Sequence, residues 1–333
     1  MKAIVYQRYG TPEVLDVQVV TKPTPKDDEV LIRTYATTVT QADRRVRSLD
    51  VPVGFGVIAR LMFGWSKPKQ PILGTELSGV VEAIGKDVRA FKVGDHVFAA
   101  VGAGMGCHAE YRCMPAAGAM AIKPTNLTHE EAASLSFGGT TALEFFRKGK
   151  LQRGERVLVN GASGAVGTAA VQLARHFGAD VTGVCSTDNV ALVRSLGAHR
   201  VIDYTQEDFT ANGETYDVII DTVGNARYAR CKGSLTPRGR MLLVFAGLPD
   251  MLVTPLKAAM TSSHRVVAMS AVPHVEDVRL LAQLVESGEF KPVVDRCFPF
   301  EEMVEAHRYV ETGRKRGNVV VTLGNSASAD EGF

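Results

Sequence analysis

The strongest constraint on the fold comes from residues 156–174, which read as an apolar strand, a glycine turn and a helix in unbroken order. Such a turn lets the backbone approach a pyrophosphate with no Cβ in the way, and it aims the free N–H groups of the helix at the anion. Gly164 and Gly167 match the second and third glycines of this pattern, whereas Ala162 stands where the first is usually glycine. A purely structural turn is the alternative. The pattern favours a dinucleotide-phosphate site formed by Ala162, Ser163, Gly164, Ala165, Val166 and Gly167.

The middle of the chain has the same character. Apolar strands alternate there with helical stretches, which is typical of a parallel sheet with crossover helices. We therefore expect an α/β fold with a doubly wound sheet of about six strands. Beyond the first, its strands are predicted at Asp180 to Cys185, Arg200 to Asp203, Asp217 to Asp221, Arg240 to Phe245 and Arg265 to Met269.

The two ends of the chain have a different pattern of apolar and polar residues. Short alternating runs such as residues 29–34 and 79–84, punctuated by Gly and Pro, predict an antiparallel β domain in the first third. Near the other end, an amphipathic helix is predicted from Glu301 to Thr312 and a strand from Asn318 to Thr322. Such a strand needs a sheet to join, so we assign it to the first domain.

Composition excludes several classes of protein. A length of 333 residues suggests two domains, and 45% hydrophobic residues are ample for packed cores. A formal net charge of +2, with 22% charged residues and no basic stripe, argues against nucleic acid as a partner. We find no run of transmembrane length and no export signal, since the chain enters a strand at Lys2 to Tyr6.

The cysteines point to a reducing compartment. Five cysteines, odd in number and scattered, do not form a disulfide framework, and we expect a cytoplasmic protein. The polar tail, residues 324–333, is expected to be disordered. The cysteines are Cys107, Cys113, Cys185, Cys231 and Cys297.

A β domain that holds both chain ends around an inserted cofactor domain resembles the medium-chain dehydrogenase/reductase superfamily. The resemblance covers residues 1–323, and its local marks are residues 74–81, 93–97, 109–111 and 139–142 together with the glycine turn. It implies a Rossmann doubly wound parallel sheet inserted in a GroES-like antiparallel β domain. The implied divisions are 1–124 and 274–323 for the GroES-like catalytic domain and 125–273 for the NAD(P)-binding domain.

Zinc divides this superfamily into branches. Its zinc alcohol dehydrogenases take a Cys after the second long strand and then a Gly-His-Glu, whereas this chain has Thr40 near the first place and Thr75 at the second. Neither is a usable zinc ligand, and the four-cysteine structural zinc loop is missing. Cys107, His108 and Cys113 lie close together, but they lack the spacing of a closed site, and buried thiols with a surface histidine are the favoured interpretation.

Without zinc there is no Lewis acid to polarise an alcohol, so reduction of an electrophilic acceptor is the expected chemistry. The chain resembles the zinc-free quinone oxidoreductase branch, whose members pass a hydride from NADPH to quinones or to the C=C bond of enones and alkenals. An enoyl-thioester reductase of the same fold is one alternative, weakened by the lack of a tyrosine within residues 51–65. A non-catalytic NADPH-binding regulatory protein is the other.

The choice of cofactor is expected to lie at the end of the second strand, where an acid would hold the ribose diol of NAD. Ser186 and Thr187 are small hydroxyls suited to a phosphate, and Tyr204 matches a family position near the adenosine phosphate. Asn189 stands where relatives often carry a cation, and Asp188 adds a negative charge. We favour NADPH over NADH. A basic turn formed by Arg314, Lys315 and Arg316 could also bind the phosphate, and a solvated surface turn is the alternative.

The resemblance also implies contacts at the nicotinamide end. Thr141 matches a residue near the ribose and ring, the main chain of Phe245, Ala246 and Gly247 matches one that holds the carboxamide, and Asn318 matches one that closes over the cofactor. Each could instead be an ordinary turn or core residue.

Substrate contacts are less defined. Thr40 replaces a family Asn, and its hydroxyl could donate to a substrate carbonyl, while Asp43 is expected to form a salt bridge with a neighbouring Arg. The apolar run Val51 to Trp65 is expected to be a loop that walls the substrate pocket, with a membrane or partner surface as the alternative. The resemblance suggests a homodimer with a small quinone or enone substrate.

Overall fold

The structure, a computed structural model, describes residues 1–261, 263–268 and 271–324. The chain divides into two compact units. The β unit comprises Met1–Val51, Ile58–Phe137 and the chain from Pro273 onward, and the inserted unit comprises Pro52–Val57 and Gly138–Val272. Residues 125–137, which the sequence divisions placed in the cofactor domain, lie in the β unit.

The strands are β1 (Lys2–Tyr6), β2 (Leu15–Val19), β3 (Glu29–Val39), β4 (Glu76–Ile84), β5 (His96–Ala100), β6 (Tyr111–Pro115), β7 (Met120–Ile122), β8 (Arg156–Asn160), β9 (Asp180–Cys185), β10 (Arg200–Asp203), β11 (Tyr216–Asp221), β12 (Leu235–Leu243), β13 (Arg265–Ala268), β14 (Val294–Pro299) and β15 (Asn318–Thr322). The helices are α1 (Gln41–Ser48), α2 (Gly56–Phe63), α3 (His129–Ala133), α4 (Ser136–Gly149), α5 (Ala165–His176), α6 (Val190–Ser195), α7 (Tyr228–Cys231), α8 (Leu248–Thr261), α9 (Val275–Glu286) and α10 (Met303–Glu311).

The β unit is built on a sheet in the order β14-β15-β3-β4-β5-β7, with β6 also paired to β3. Its neighbours are antiparallel except for β14 and β15, and β1 and β2 form a separate hairpin. Because β15 pairs with β3, the end of the described chain completes a sheet begun near its start. One face of this sheet packs Ile32, Leu77 and Val97, which are fully buried.

The inserted unit is built on a parallel sheet in the order β10-β9-β8-β11-β12-β13. The apolar side chains of β8 and β11 are fully buried, as in a sheet covered on both faces. Strand order reverses between β8 and β11, and ligands bind such sheets outside the carboxyl ends of the strands at this switch point. The predicted α/β fold with a doubly wound sheet and an antiparallel GroES-like domain is confirmed.

Several local predictions need correction. β12 runs from Leu235 to Leu243 rather than from Arg240 to Phe245, and Met269, the predicted end of β13, lies outside the described residues. The run Val51 to Trp65 is not a loop throughout, because it contains α2. The predicted helix from Glu301 to Thr312 starts as a 3-10 turn and becomes α10 at Met303. The predicted disordered tail, apart from Gly324, also lies outside the described part of the chain.

Within the described residues, no helix is long and apolar enough to cross a membrane.

Candidate functional site

The glycine turn between β8 and α5 contains three glycines whose surroundings differ. Gly161 has a φ of +80°, so it supplies the tight turn that the sequence pattern assigned to Ala162. A Cβ on Gly167 would lie 2.0 Å from the Gly161 carbonyl oxygen, which explains the need for glycine. Gly164 is the N-cap of α5, and a Cβ there would meet only the Gly161 oxygen, at 3.6 Å. The protein therefore leaves open the space in front of the helix N-terminus, where an anion binds.

The loop after β11 lies against this turn and is held by a buried carboxylate that the sequence reasoning missed. Asp221 accepts hydrogen bonds from the backbone N–H groups of Val223 (3.0 Å), Gly224 (3.1 Å) and Ala226 (3.0 Å). The side-chain amide of Asn160, at the end of β8, donates to Asp221 at 2.9 Å. The ends of β8 and β11 are therefore fixed to each other beside the glycine turn.

The loop after β12 packs on the far side of the same edge. A Cβ on Gly224 would lie 2.5 Å from the Phe245 ring, so the loop after β11 needs glycine to pass it. Leu248, at the start of α8, donates its N–H to the Val53 carbonyl at 3.0 Å. Residues 245–247, predicted from the resemblance, thus lie at the same sheet edge as the glycine turn, together with the first part of the run Val51 to Trp65.

Thr141 is positioned by the packing of α4 on α5. A Cβ on Gly138 would lie 2.4 Å from the Ala165 carbonyl oxygen, so α4 approaches the first turn of α5 closely at this point. Thr141 follows one turn later on α4 and is buried. It therefore lies on the α4 face that approaches the start of α5.

The ends of β9 and β10 carry the remaining predicted cofactor residues. Asn189 donates its side-chain amide to the Ser186 hydroxyl at 3.0 Å, and its own Oδ1 is buried without a partner among the described residues. Thr187 donates its hydroxyl proton to Asp203 at 2.5 Å. Tyr204 is exposed beside them. Asp203, at the end of β10, is a second residue that the sequence reasoning did not single out.

These features fit a dinucleotide. A Cβ at Gly164 would meet only one protein atom within 4 Å, so the backbone there is open to an approaching phosphate. The first N–H groups of α5 lack intrahelical acceptors by geometry, and the orphaned Asn189 Oδ1 needs a hydroxyl or amide donor. All of them belong to the inserted unit, at the carboxyl edge of one sheet.

In the β unit, Thr40 is the N-cap of α1. Its hydroxyl accepts from the Asp43 N–H at 3.2 Å and donates to Asp43 Oδ2 at 2.6 Å, and Asp43 accepts in return from the Thr40 N–H. The second oxygen of Asp43 accepts from the Gly74 N–H at 2.8 Å. The expected salt bridge from Asp43 to an Arg is therefore wrong, because this buried carboxylate is satisfied by backbone amides and one hydroxyl.

Thr40 and Thr75, which the resemblance matched to zinc-ligand positions, both carry hydroxyls. Thr75 is buried, and its Oγ1 has no hydrogen-bond partner in the described chain. The expected surface position of His108 is wrong, because this residue is fully buried and its Nε2 is engaged by the Thr38 carbonyl at 3.0 Å. Burial raises the pKa of the Cys107 thiol. Among residues 1–261, 263–268 and 271–324, no three His, Cys, Asp or Glu side chains converge as around a metal ion.

A buried acid and a buried base also occur in the β unit. Burial raises the pKa of Glu76 to about 8, against the hydrogen bonds it accepts from the Thr38 hydroxyl (2.5 Å) and the Phe137 N–H (2.6 Å). Burial lowers the pKa of Lys315 to about 8, and its amine donates to the Gly317 carbonyl at 2.5 Å. Lys315 is thus half-buried, with one of its donors engaged by the main chain.

The other predicted residues of this region have local partners. The Asn318 side-chain amide donates to the Val293 carbonyl at 3.2 Å, and the Arg316 N–H donates to Asp295. Arg314 is exposed.

Comparisons with known proteins agree with this geometry. Residues 26–124 match the model of the alcohol dehydrogenase GroES-like domain, and residues 196–321 match that of the zinc-binding dehydrogenases. A 2-methylene-furan-3-one reductase of Solanum lycopersicum is 33% identical over 96% of this chain and 79% of its own length. The chain belongs to the medium-chain dehydrogenase/reductase superfamily. The segment matched to the zinc-binding model contains neither Thr40 nor Thr75.

Two further members of this superfamily show how far the similarity extends. The mitochondrial NAD(P)H oxidoreductase RTN4IP1 of Mus musculus is 34% identical over 97% of this chain and 89% of its own length. The structure of the quinone oxidoreductase from Coxiella burnetii superposes with a TM-score of 0.85 and 29% identity, over 97% of this chain and 99% of that one. The protein is an oxidoreductase of this superfamily, with a nicotinamide cofactor.

Proposed function

We propose that the protein is a zinc-independent reductase that transfers a hydride from a reduced nicotinamide to a quinone or to the C=C bond of an α,β-unsaturated carbonyl. One observation carries the proposal: hydroxyls, Thr40 and Thr75, stand where the zinc branch of the superfamily has metal ligands. The hydroxyl of Thr40 is already engaged by Asp43. Relatives named for quinone and furanone reduction support the substrate class.

The bound nicotinamide would supply the hydride, and the chain would supply binding, orientation and exclusion of water. The glycine turn and the N-terminus of α5 would hold the pyrophosphate. Thr141 and the main chain of residues 245–247 are proposed to position the nicotinamide end. A strong acid–base signature is not required, because the acceptor is already electrophilic.

Thr40 is proposed to have a structural role, as the N-cap of α1, rather than to donate a hydrogen bond to the substrate. Its single hydroxyl proton goes to Asp43, so a bond to a substrate carbonyl would require that contact to break. Asn318 is proposed as a cofactor residue on the resemblance alone.

A homodimer formed through the inserted unit is also proposed. Among the described residues, β13 pairs only with β12 and ends the parallel sheet. Open sheet edges of this kind invite pairing with a second chain. The adjacent α8 exposes Leu252, Leu256 and Met260, which lie on one helix face. A reducing compartment, the cytoplasm, is proposed from the unpaired cysteines.

The experiment is a panel of acceptors with metal-stripped protein. Oxidation of NADH and NADPH is followed with a naphthoquinone, a 2-alkenal and a simple ketone. Turnover with the quinone or the alkenal supports the proposal. Activity that is confined to the ketone and appears only after zinc is restored would overturn it, and cofactor binding without turnover on any acceptor would favour a regulatory protein.

A further inference from the structure

Helix α2 and the turn after it expose apolar side chains on the β unit. We refer to residues 58–69 of this unit as the α2 surface. Ile58, Leu61 and Met62 are spaced i, i+3 and i+4, so they lie on one face of the helix. These residues are 40%, 63% and 59% exposed, and Trp65 in the turn is 62% exposed. Neighbouring exposed apolar side chains of this kind mark a surface that binds a partner or a membrane.

The inner side of α2 fixes this orientation. Phe63 packs against the hydrophobic core of the β unit. Lys69 donates its amine to the Leu61 carbonyl at 2.6 Å, and Arg60 donates its guanidinium to the Trp65 carbonyl at 2.7 Å. These two bonds join the following turn to the end of the helix, so the apolar side chains are held on the outer face. Of the two roles that the sequence leaves open for the run Val51 to Trp65, a pocket wall and an external surface, their exposure favours the second.

The charge of the α2 surface is positive. It contains Arg60, Lys67 and Lys69, and residues 51–75 contain no Asp or Glu. In the described part of the chain none of these three cations is paired with a carboxylate, and Arg60 and Lys69 bond to main-chain carbonyls instead. A surface that combines apolar side chains, a tryptophan and unpaired cations matches the interface of a bilayer with anionic headgroups.

A second copy of the chain fits this surface less well. Two-fold pairing places the same patch of both copies face to face. The cations of one copy would then meet those of the other with no acid between them, and such like-charge contacts oppose association. An anionic headgroup supplies the missing negative charge, and the boundary of the acyl chains takes up the exposed apolar side chains.

We propose that the α2 surface docks the protein onto a bilayer that contains anionic phospholipids. Leu61, Met62 and Trp65 enter the boundary between headgroups and acyl chains, while Lys67 and Lys69 contact lipid phosphates. This docking concerns the β unit alone. It goes beyond the proposed reductase activity and does not depend on it, and the experiment uses neither a nicotinamide nor an acceptor.

Trp65 gives a direct readout because it is the only tryptophan of the chain. Its fluorescence is followed while the full-length protein is mixed with vesicles of phosphatidylcholine, or of phosphatidylcholine and phosphatidylserine in equal parts. The mixed vesicles should shift the emission to shorter wavelength, and lipids brominated on their acyl chains should quench it. Phosphatidylcholine alone should bind roughly tenfold more weakly or less, and added salt should weaken binding to the mixed vesicles.

A pair of double variants, both of which keep Trp65, tests the two kinds of contact. Leu61→Ser with Lys67→Ser should bind the mixed vesicles roughly 25-fold more weakly, with about fivefold from each side chain. The matched control is Lys92→Ser with Val93→Ser, which removes an exposed lysine and an exposed apolar side chain from the turn between β4 and β5. It should bind as wild type does. All four side chains are exposed, so both variants should keep the fold.

Three results would overturn the proposal: an unchanged Trp65 emission with mixed vesicles, vesicle binding that leaves Trp65 unquenched by brominated lipid, or equal affinities in the two double variants. Equal binding to both kinds of vesicle would contradict the role given to the cations. An emission shift that grows with protein concentration in the absence of lipid would show that a second copy covers the α2 surface instead.

Discussion

Asn160 donates its side-chain amide to Asp221 at 2.9 Å, and this bond joins the carboxyl ends of β8 and β11 where the strand order reverses. Through its other contacts Asp221 also fixes the backbone of residues 223–226. The cofactor edge of the inserted unit is therefore organised by a buried carboxylate that belongs to no glycine motif.

Replacing this carboxylate should loosen the loop after β11. Asp221→Asn places an amide against backbone N–H groups, so the free energy of unfolding should fall by about 1–3 kcal/mol and cofactor affinity should fall with it. Asp217→Asn is the control, since Asp217 accepts from the Arg156 N–H and the Thr236 hydroxyl at the opposite end of β11. Urea unfolding and cofactor titration of both variants provide the measurement. Equal losses of cofactor affinity in the two variants would contradict the role given to Asp221.

Substitution by alanine should have different effects on stability at two glycines of the turn. Gly167→Ala brings a Cβ to 2.0 Å from the Gly161 oxygen and should reduce stability and cofactor binding together. Gly164→Ala has a permissive φ of −81° and meets only one protein atom, at 3.6 Å, so the fold should remain near wild-type stability. Its methyl group would occupy the space of the pyrophosphate. Thermal unfolding combined with cofactor titration checks this pair, and normal cofactor affinity in Gly164→Ala would place the phosphates elsewhere.

Two variants of Thr40 distinguish helix capping from a part of its hydroxyl in the reaction. Thr40→Val loses both cap hydrogen bonds to Asp43 and should cost about 1 kcal/mol of stability. Thr40→Asn retains an N-cap side chain without the hydroxyl, and we expect it to keep stability and most of the turnover. A stable Thr40→Asn protein with severely reduced turnover would show instead that the hydroxyl takes part in the reaction.

His129 should make the free energy of unfolding fall as the pH becomes acidic. Its ring contacts the Ser78 hydroxyl at 2.8 Å and His96 at 3.0 Å, and burial lowers its pKa to about 4. The unfolded chain takes up a proton near pH 6.5, where folded His129 remains neutral, so stability is complete above that pH and is lost as the pH falls from 6.5 to 4. The slope should approach 1.4 kcal/mol per pH unit.

His129→Gln should flatten this part of the pH profile of unfolding, whereas the exposed His176→Gln should leave it in place. The slope is the readout, because the substitution also changes stability by an amount that does not vary with pH. An unchanged slope in His129→Gln would show that His129 does not titrate in this range.

The strands were predictable wherever short apolar runs had clear ends. β9, β10 and β15 have the predicted bounds, because each apolar run has a polar residue at one end, which is Asp180, Asp203 and Asn318 in turn. β12 begins earlier than predicted, since Thr236, Pro237 and Gly239 interrupt its pattern although they lie in the strand. α2 was missed because, apart from Arg60, its residues are apolar or glycine and show no polar face to mark a helix.

The glycine cradle could be predicted from the sequence because it is local, within a few residues of one turn. The contacts of Asp203 and Asp221 could not, since they depend on the pairing of strands that are distant along the chain. The prediction for Thr187 used residue type alone, and the direction in which its hydroxyl donates is set by Asp203, sixteen residues away.

The most direct test of the account follows a deuterium label. Metal-stripped protein is mixed with a 2-alkenal and with reduced nicotinamide dinucleotide that carries deuterium at its transferable position. The product is analysed by NMR, and the reaction is then repeated with zinc added. The account predicts deuterium at the β-carbon of a saturated aldehyde, at a rate that zinc does not change. An allylic alcohol that carries deuterium on the former carbonyl carbon and forms only with zinc would contradict the account.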